Sequence, residues 1–241
     1  MTGHTRRTGA ALAAVVTVVA VLAAGCGGGS DSSFADQSTE TITQAASADM
    51  KALKTLHITG DVTTNGQRID LDMRSTTDGE CQGTVEVASG SAQIVSSRGS
   101  YWMKPDKAFW KQTAGAQASV IEQAVGDKWV TVPANSGLDE VCDLDNFLKA
   151  FDNASGNDPS ASPSSAGTEQ IDGQDAVKIA GEEKGQPVAA WVATADPHYI
   201  LKLEVGGASD GGTLSFSDFD QPVDVKTPSP SEVVDLSQLA G

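Results

Sequence analysis

Strict alternation of apolar and polar residues is the feature that most constrains the fold of this chain. The alternation covers residues 56–62 and 69–73, on either side of Asn65-Gly66. An Asn-Gly pair between two such runs is a strong β-hairpin signal. The same period of two continues over 81–87 and 91–97 and returns over 177–179, 188–194, 199–205 and 214–216. The chain is therefore predicted to form an antiparallel sheet with one apolar face and one polar face.

Helical spacing of apolar residues interrupts these strands at three places. It predicts helices from Ser38 to Thr55, from Ala118 to Val125, and after the capping residue Asp143. Such helices bury their apolar sides against a sheet. The expected fold class is α+β, with one antiparallel sheet and its helices gathered on one face.

The first 26 residues have the order of an export signal. Arg6 and Arg7 precede an uncharged run from Ala10 to Ala24, which ends at Gly25-Cys26. As a helix this run would span roughly 22 Å, which is short of the ~30 Å hydrocarbon core of a membrane. Residues 1–25 are therefore interpreted as a lipoprotein signal peptide and Cys26 as the lipidated residue. Two or more acyl chains on Cys26 would anchor the protein to the extracytoplasmic side of the cytoplasmic membrane.

Composition divides the rest of the chain. Residues 26–37 are rich in Gly and Ser and are expected to form a flexible tether, and residues 38–241 are expected to form a single domain. Within that domain, residues 153–168 are mostly small and polar and predict a flexible loop.

The charge of the chain limits its partners. The formal net charge is −16, and removal of Arg6 and Arg7 with the signal makes it more negative. Nucleic acid and anionic lipid head groups are poor electrostatic partners for such a surface. Membrane association is therefore expected to come from the acyl chains alone, with the folded body a soluble monomer and any protein partner unidentified.

Two cysteines remain once Cys26 is assigned to lipid. In an exported protein the pair Cys81 and Cys142 is expected to form a disulfide. The alternative is a zinc site, but two cysteines without a nearby histidine do not complete a tetrahedral ligand set.

The sequence contains little catalytic chemistry. His57 and His198 are interpreted as surface residues, and the chain has no nucleophile elbow, P-loop, dinucleotide fingerprint or zinc motif. The acidic residues around Cys142 are explained by the helix that starts there. We therefore expect no enzymatic activity, no cofactor and no metal.

Several short stretches resemble one known family. They are Cys26 with its signal, the segment Tyr101-Trp102-Met103-Lys104 leading to Phe109-Trp110, Lys128-Trp129-Val130, and the late strand around Pro197-His198-Tyr199-Ile200-Leu201. Together with a helix followed by a meander of strands, they resemble the actinobacterial lipoprotein family of LppX and LprG, which is related to the LolA and LolB carriers. The resemblance covers nearly all of the chain after Cys26.

The resemblance implies a curved antiparallel half-barrel with helices packed on its concave face. It also implies a non-catalytic carrier whose apolar cavity holds a lipid, glycolipid or acylated molecule. Strand and helix parity gives the candidate lining residues Ile58, Leu71, Met73, Val85, Ile121, Phe147 and Phe151. The alternative is that these residues fill a closed core, in which case the protein would be an envelope adaptor that binds another protein.

Overall fold

A computed structural model describes residues 33–133, 138, 142–149, 163–183, 185–207 and 210–235. These residues lie in one compact unit, Ser32–Gly241. Twelve strands form one sheet in the order β12-β6-β5-β4-β3-β2-β1-β11-β10-β9-β8-β7. Their bounds are β1 Thr55–Thr64, β2 Gln67–Thr76, β3 Cys81–Val87, β4 Gly90–Ser97, β5 Ser100–Pro105, β6 Trp129–Val132, β7 Ser164–Ile171, β8 Gln174–Glu183, β9 Gln186–Ala193, β10 Ile200–Val205, β11 Gly211–Ser217 and β12 Val233–Val234.

The topology is two meanders joined in the middle of the sheet. Strands β1 to β6 lie in chain order on one side, and β7 to β11 lie in chain order on the other. The two halves meet where β1 pairs with β11. All neighbouring strands are antiparallel except β12, which pairs in parallel with β6. The predicted hairpin at Asn65-Gly66 joins β1 to β2, and Asn65 adopts the positive φ of 53° that such a turn requires.

The helices lie against one face of this sheet. They are α1 (Thr39–Ala52), α2 (Lys107–Ala114), α3 (Ala118–Val125) and a helical segment over 144–149. The N-cap Ser38 begins α1, and its hydroxyl accepts a hydrogen bond from the backbone of Thr41 at 3.2 Å. The predicted helices are thus present, and the expected α+β fold, a curved half-barrel with helices on its concave face, is confirmed.

Two glycines relieve crowding where the two meanders join. Gly60 on β1 and Gly212 on β11 have φ values of 137° and 151°. A Cβ on either residue would overlap a backbone carbonyl of the neighbouring strand, Thr213 O or Asp61 O. Glycine inside a strand marks a bend or a close approach of two backbones, and both conditions apply here. These residues allow the sheet to curve at its centre.

Two boundaries from the sequence are corrected by the structure. Residues Phe34–Asp36, assigned to the tether, form a 3-10 helix, and the Phe34 ring stacks on His198 with the centroids 3.6 Å apart. Residues 164–168, assigned to the loop, begin β7. The first contact is not evident from the sequence because Phe34 is a single aromatic residue at the end of a Gly/Ser-rich stretch. The second boundary is not evident because β7 forms by pairing of polar residues with β8, which no apolar pattern signals. Most of the predicted loop lies outside the described residues.

Candidate ligand-binding surface

The concave face is built from rows of side chains that cross the sheet at right angles to the strands. The register places Phe216, Ile58, Met73, Gly83, Ile94, Met103 and Val130 side by side on six neighbouring pairs of strands. We call this set the covered row. Ile58, Met73 and Val130 have no exposed surface, because the helices pack directly over this part of the sheet. The covered row is therefore core.

Helix α1 covers the end of the face where β1 begins. Its buried residues Ile42 and Ala46 contact Val177, Ile179 and Val192. Further along the helix, Met50 and the C-cap Leu53 pack with Leu56, Ile58 and Phe216. One helix therefore spans both meanders and holds them together at this end.

The 144–149 segment packs beside α1 and covers the same end of the concave face. Leu144 and Leu148 are buried in the cluster formed by the end of α1 and strand β1. Phe147 is half-buried, with its ring edge-on to Phe216 at a centroid distance of 6.0 Å. A disulfide joins Cys142, just before this segment, to Cys81 at the start of β3. The expected pairing of these two cysteines is thus present, and it ties the segment to the apolar side of the sheet.

Beyond the helices the concave face continues as two further rows of apolar side chains. In one row Leu203, Leu214, Gly60, Leu71 and Val85 are neighbours. In the other the neighbours are Val188, Val205, Gly212, Val62 and Ile69. All eight apolar residues in these rows are half-buried rather than buried. We call them the open rows.

The open rows form a contiguous apolar surface on the concave face of the sheet. Each row is interrupted by one glycine, and the register staggers the two, because Gly60 pairs with Leu214 and Gly212 pairs with Val62. A leucine or valine side chain therefore stands beside each glycine. A contiguous apolar surface of this kind on a protein surface commonly marks a binding site. Its chemistry suits hydrocarbon rather than a charged group.

The seven predicted lining residues fall in different environments. Leu71 and Val85 belong to the open rows, whereas Ile58 and Met73 are fully buried in the covered row. Ile121 lies on α3 and packs near Trp110, apart from the open rows. Phe147 is half-buried beside Phe216, and Phe151 lies outside the described residues.

Parity predicts which side chains share the helix-covered face of the sheet but not which part of that face the helices cover. The members of the open rows that the sequence analysis did not select are Val62, Ile69, Val188, Leu203, Val205 and Leu214. Five of them lie within two residues of a strand end, whereas Leu214 lies in the middle of β11, so no single local signal marks all six. The strand ends concerned are those farthest from α1.

The opposite, convex face carries charge. Arg68 contacts Asp70 at 2.6 Å and Asp61 at 3.4 Å. The hydrogen bond from Arg68 holds the pKa of the Asp70 carboxyl below its usual value. Further along this face, Trp191 lies between Lys178 and Lys202, whose ammonium groups are 4.5 and 4.4 Å from the ring centroid. The two faces therefore differ in polarity, as the alternation predicts.

Both histidines are half-buried, and each makes specific contacts. On the convex face His57 Nε2 lies 2.8 Å from Asp72, and Nδ1 lies 3.1 Å from the Ser217 hydroxyl and 3.4 Å from Asp218. His198 stacks on Phe34, and its backbone N–H donates to Asp49 at 2.6 Å. Carboxylates face both ring nitrogens of His57, an arrangement that joins β1, β2 and the end of β11. The sequence could not show it, because Ser217 and Asp218 are distant along the chain.

The described ranges contain no group of three or more His, Cys, Asp or Glu side chains arranged to hold a metal ion. Asp143 instead caps the helical segment, with its carboxylate accepting from the backbone of Asn146 at 3.1 Å. No helix in these ranges is long and apolar enough to cross a bilayer.

Comparison with known proteins gives similarity in structure and not in sequence. No protein-family model matches the chain. No curated protein matches it either. Among solved structures, LprF from Mycobacterium bovis matches with a TM-score of 0.56 and 17% identity, covering 79% of this chain and 96% of LprF. The Mycobacterium tuberculosis lipoprotein LppX matches with a TM-score of 0.51 and 16% identity, covering 78% of this chain and all of LppX. The protein therefore has the fold of LprF and LppX, in agreement with the family resemblance seen in its sequence.

Proposed function

We propose that the protein is a lipid-anchored extracytoplasmic lipoprotein that binds a hydrophobic ligand, such as a lipid or another acylated molecule, without transforming it. The observation that carries this proposal is the pair of open rows. Eight leucine, isoleucine and valine side chains stay half-buried on the same face on which similar side chains elsewhere are sealed by helices. Acyl chains laid along these rows would remove that apolar surface from water.

The anchor supports the same function. Cys26 follows the arrangement expected of a lipoprotein signal, and LppX, whose fold this chain shares, is a lipoprotein. A lipid anchor keeps the body next to a source of hydrophobic ligands. In cells fed a clickable fatty acid, the protein is expected to incorporate the label and the variant Cys26→Ala to lose it. Labelling of both forms would contradict the assignment of Cys26.

Binding is tested with the chain that begins at position 26 and carries Cys26→Ser. After gentle purification, native mass spectrometry is expected to show a bound mass that organic extraction removes. The extracted protein should then bind cis-parinaric acid, a fluorescent fatty acid. A ligand-free mass together with no binding of this probe would refute the function and favour an adaptor with a filled core.

The site of binding is tested with a matched pair of valine variants. Val62 is in the open rows, whereas Val233 is a half-buried valine on the edge strand β12. Val62→Asn is expected to weaken binding of the probe about five- to ten-fold, because a polar group would replace a methyl-bearing contact surface. Val233→Asn is expected to bind like the parent. Equal losses in the two variants would place the ligand elsewhere.

A further inference from the structure

A buried indole between α2 and the edge of the sheet lacks a hydrogen-bond partner. Trp110 is 6% exposed and packs with residues of α3, β6 and β12, namely Ala118, Val125, Val130 and Val234. Its Nε1 is shielded from solvent, and in the described part of the chain nothing accepts a hydrogen bond from it. Most buried side-chain donors in folded proteins have a partner, so this N–H requires an explanation.

A second buried indole of the chain shows the usual solution. Trp191 is 2% exposed, and its Nε1 donates to the carboxylate of Glu169. The two residues are alike in side chain and burial, but within the described ranges only Trp191 has an acceptor.

The cover over Trp110 is lightly held. Helix α3 lies between Gly115 and Gly126, which have positive φ values of 54° and 60°, and only Ala118 and Val125 of its eight residues are buried. Val120 on this helix is 69% exposed. The ion pair between Lys107 of α2 and Glu122 of α3, at 2.6 Å, is on the surface, where such pairs contribute little. A small displacement of α3 would open the space above the indole.

The surroundings determine what kind of acceptor fits. The side chains packed around Trp110 are apolar, so a charged carboxylate or phosphate would lose its hydration without a countercharge. A neutral carbonyl oxygen needs one donor. Met103 packs both against the Trp110 cluster and against the cluster beneath β2 to β5, so an apolar surface links the two regions.

We propose that the indole N–H of Trp110 donates a hydrogen bond to the ester or amide carbonyl of a bound acylated molecule, at a subsite beneath α3. This inference rests on the proposed function and narrows it to ligands that carry such a carbonyl next to their hydrocarbon chain. The class includes acylglycerols and other acyl esters.

The test compares two probes on the chain from position 26 with Cys26→Ser. One probe is the methyl ester of parinaric acid, which has a carbonyl, and the other is diphenylhexatriene, a hydrocarbon without an acceptor. Trp110→Phe keeps an aromatic ring but removes the donor. It is expected to weaken binding of the ester about three- to ten-fold, the effect of one neutral hydrogen bond, and to leave binding of the hydrocarbon unchanged. Trp191→Phe, the matched control, should bind both probes like the parent.

Unfolding of the ligand-free protein gives a second, independent readout. Trp191→Phe loses a hydrogen bond and is expected to lower the unfolding midpoint in urea more than Trp110→Phe, which loses a donor that has no partner. A larger drop for Trp110→Phe would overturn the inference.

The outcomes separate the inference from the proposed function. Binding of both probes by the parent, with no loss or equal losses in Trp110→Phe, would overturn the inference alone. If the parent binds neither probe, the proposed function fails and the inference fails with it.

Discussion

Single glycines on the concave face determine how closely side chains pack there. Gly83 sits between Met73 and Ile94 in the covered row, and a Cβ at this position would lie 2.6 Å from the Met73 sulfur and overlap the carbonyl of Asp72. The space that a side chain at position 83 would take is therefore occupied by Met73. A small residue in a strand reads as a weak point in the sequence, yet here it is part of the core.

Gly83→Ala is expected to destabilise the protein by about 1–3 kcal/mol, because both the methionine and the β2 backbone must move. Gly181→Ala is the matched control, since that strand glycine has an ordinary 3.4 Å contact with Pro163 as its nearest approach. Urea unfolding measures both. Similar free energies of unfolding for the two variants would show that the space above Gly83 is not filled as described.

Tyr199 makes the stability of the folded protein depend on pH in the alkaline range. Its ring stacks on Phe219 at 4.2 Å, and burial, followed by the charges of Asp220, Asp49 and Asp196, raises the pKa of its phenol. A raised pKa in the folded state means that the phenol stabilises the fold below its unfolded pKa of about 10 and that this contribution is lost as pH rises through the folded value.

The parent is therefore expected to lose thermal stability above pH 10 more steeply than Tyr199→Phe. Melting curves between pH 8 and 11 test this expectation. Tyr101 is the only other tyrosine, so an absorbance titration of Tyr199→Phe isolates the remaining phenol. Parallel loss of stability in the two proteins would contradict the role of Tyr199.

At the scale of elements, the disulfide ties the 144–149 segment to the start of β3. Cys81 and Cys142 are both fully buried, and 61 positions separate them in the sequence. Closing so long a loop restricts the unfolded chain. The double variant Cys81→Ala/Cys142→Ala is expected to lose about 2–5 kcal/mol of unfolding free energy, measured in urea.

The same variant should bind more of a dye that reports exposed apolar surface, because the 144–149 segment would separate more readily from the sheet. Adding a reductant to the parent should reproduce the change, and adding it to the double variant should have no effect. An unchanged unfolding midpoint in the reduced parent would show that packing alone holds the segment.

Elements with a strong periodic pattern could be predicted from the sequence, and elements formed by other means could not. Helix α1 and the β1–β2 hairpin follow from apolar spacing and Asn65-Gly66. Strand β7 is almost wholly exposed, so no apolar face identifies it, and it forms because β8 offers an edge to pair with. The contact of Phe34 with His198 joins residues far apart in sequence, which local pattern does not reveal.

In the candidate site, too, some properties follow from local sequence pattern and others depend on contacts between distant parts of the chain. Parity placed Leu71 and Val85 on the helix-covered face with Ile58 and Met73, because alternation in a strand decides which way a side chain points. Exposure within that face depends on where the helices lie, and that is a property of the assembled sheet. Ile58 and Leu71 therefore look equivalent in the sequence, although one is sealed and the other half-buried.

At the scale of the whole molecule, Phe34 fixes where the chain would leave the body if Cys26 carries the proposed lipid anchor. The ring docks beside the β9–β10 connection, at the end of the sheet covered by α1. The open rows lie toward the other end, where Asn65 of the β1–β2 turn donates its backbone N–H to Asp210 at 3.0 Å. A lipid on Cys26 would then be joined to the covered end by residues 26–33, which reach about 29 Å at most.

With Cys26 lipidated as proposed, this arrangement predicts that the open rows stand away from the anchoring membrane. A body that pivots about Phe34 and cannot enter the bilayer keeps its covered end nearer on average, and β2, with 10 residues, adds roughly 33 Å between the ends. The prediction is tested on protein lipidated at Cys26 and reconstituted in vesicles. Because lipid caps Cys26 and the other two cysteines are joined, an introduced cysteine is the single free thiol for a donor dye.

Ala195→Cys marks the covered end and Asn65→Cys the open end, and both positions are exposed. Energy transfer to an acceptor dye on the lipid head groups is expected to be stronger from position 195 than from position 65. Phe34→Ala should reduce the difference, because the tether would then extend to the start of α1 and the body would reorient more freely. Equal transfer from the two positions in the parent would mean that the open rows reach the anchoring bilayer as easily as the covered end, and loading of ligand from that bilayer would then need no change of orientation.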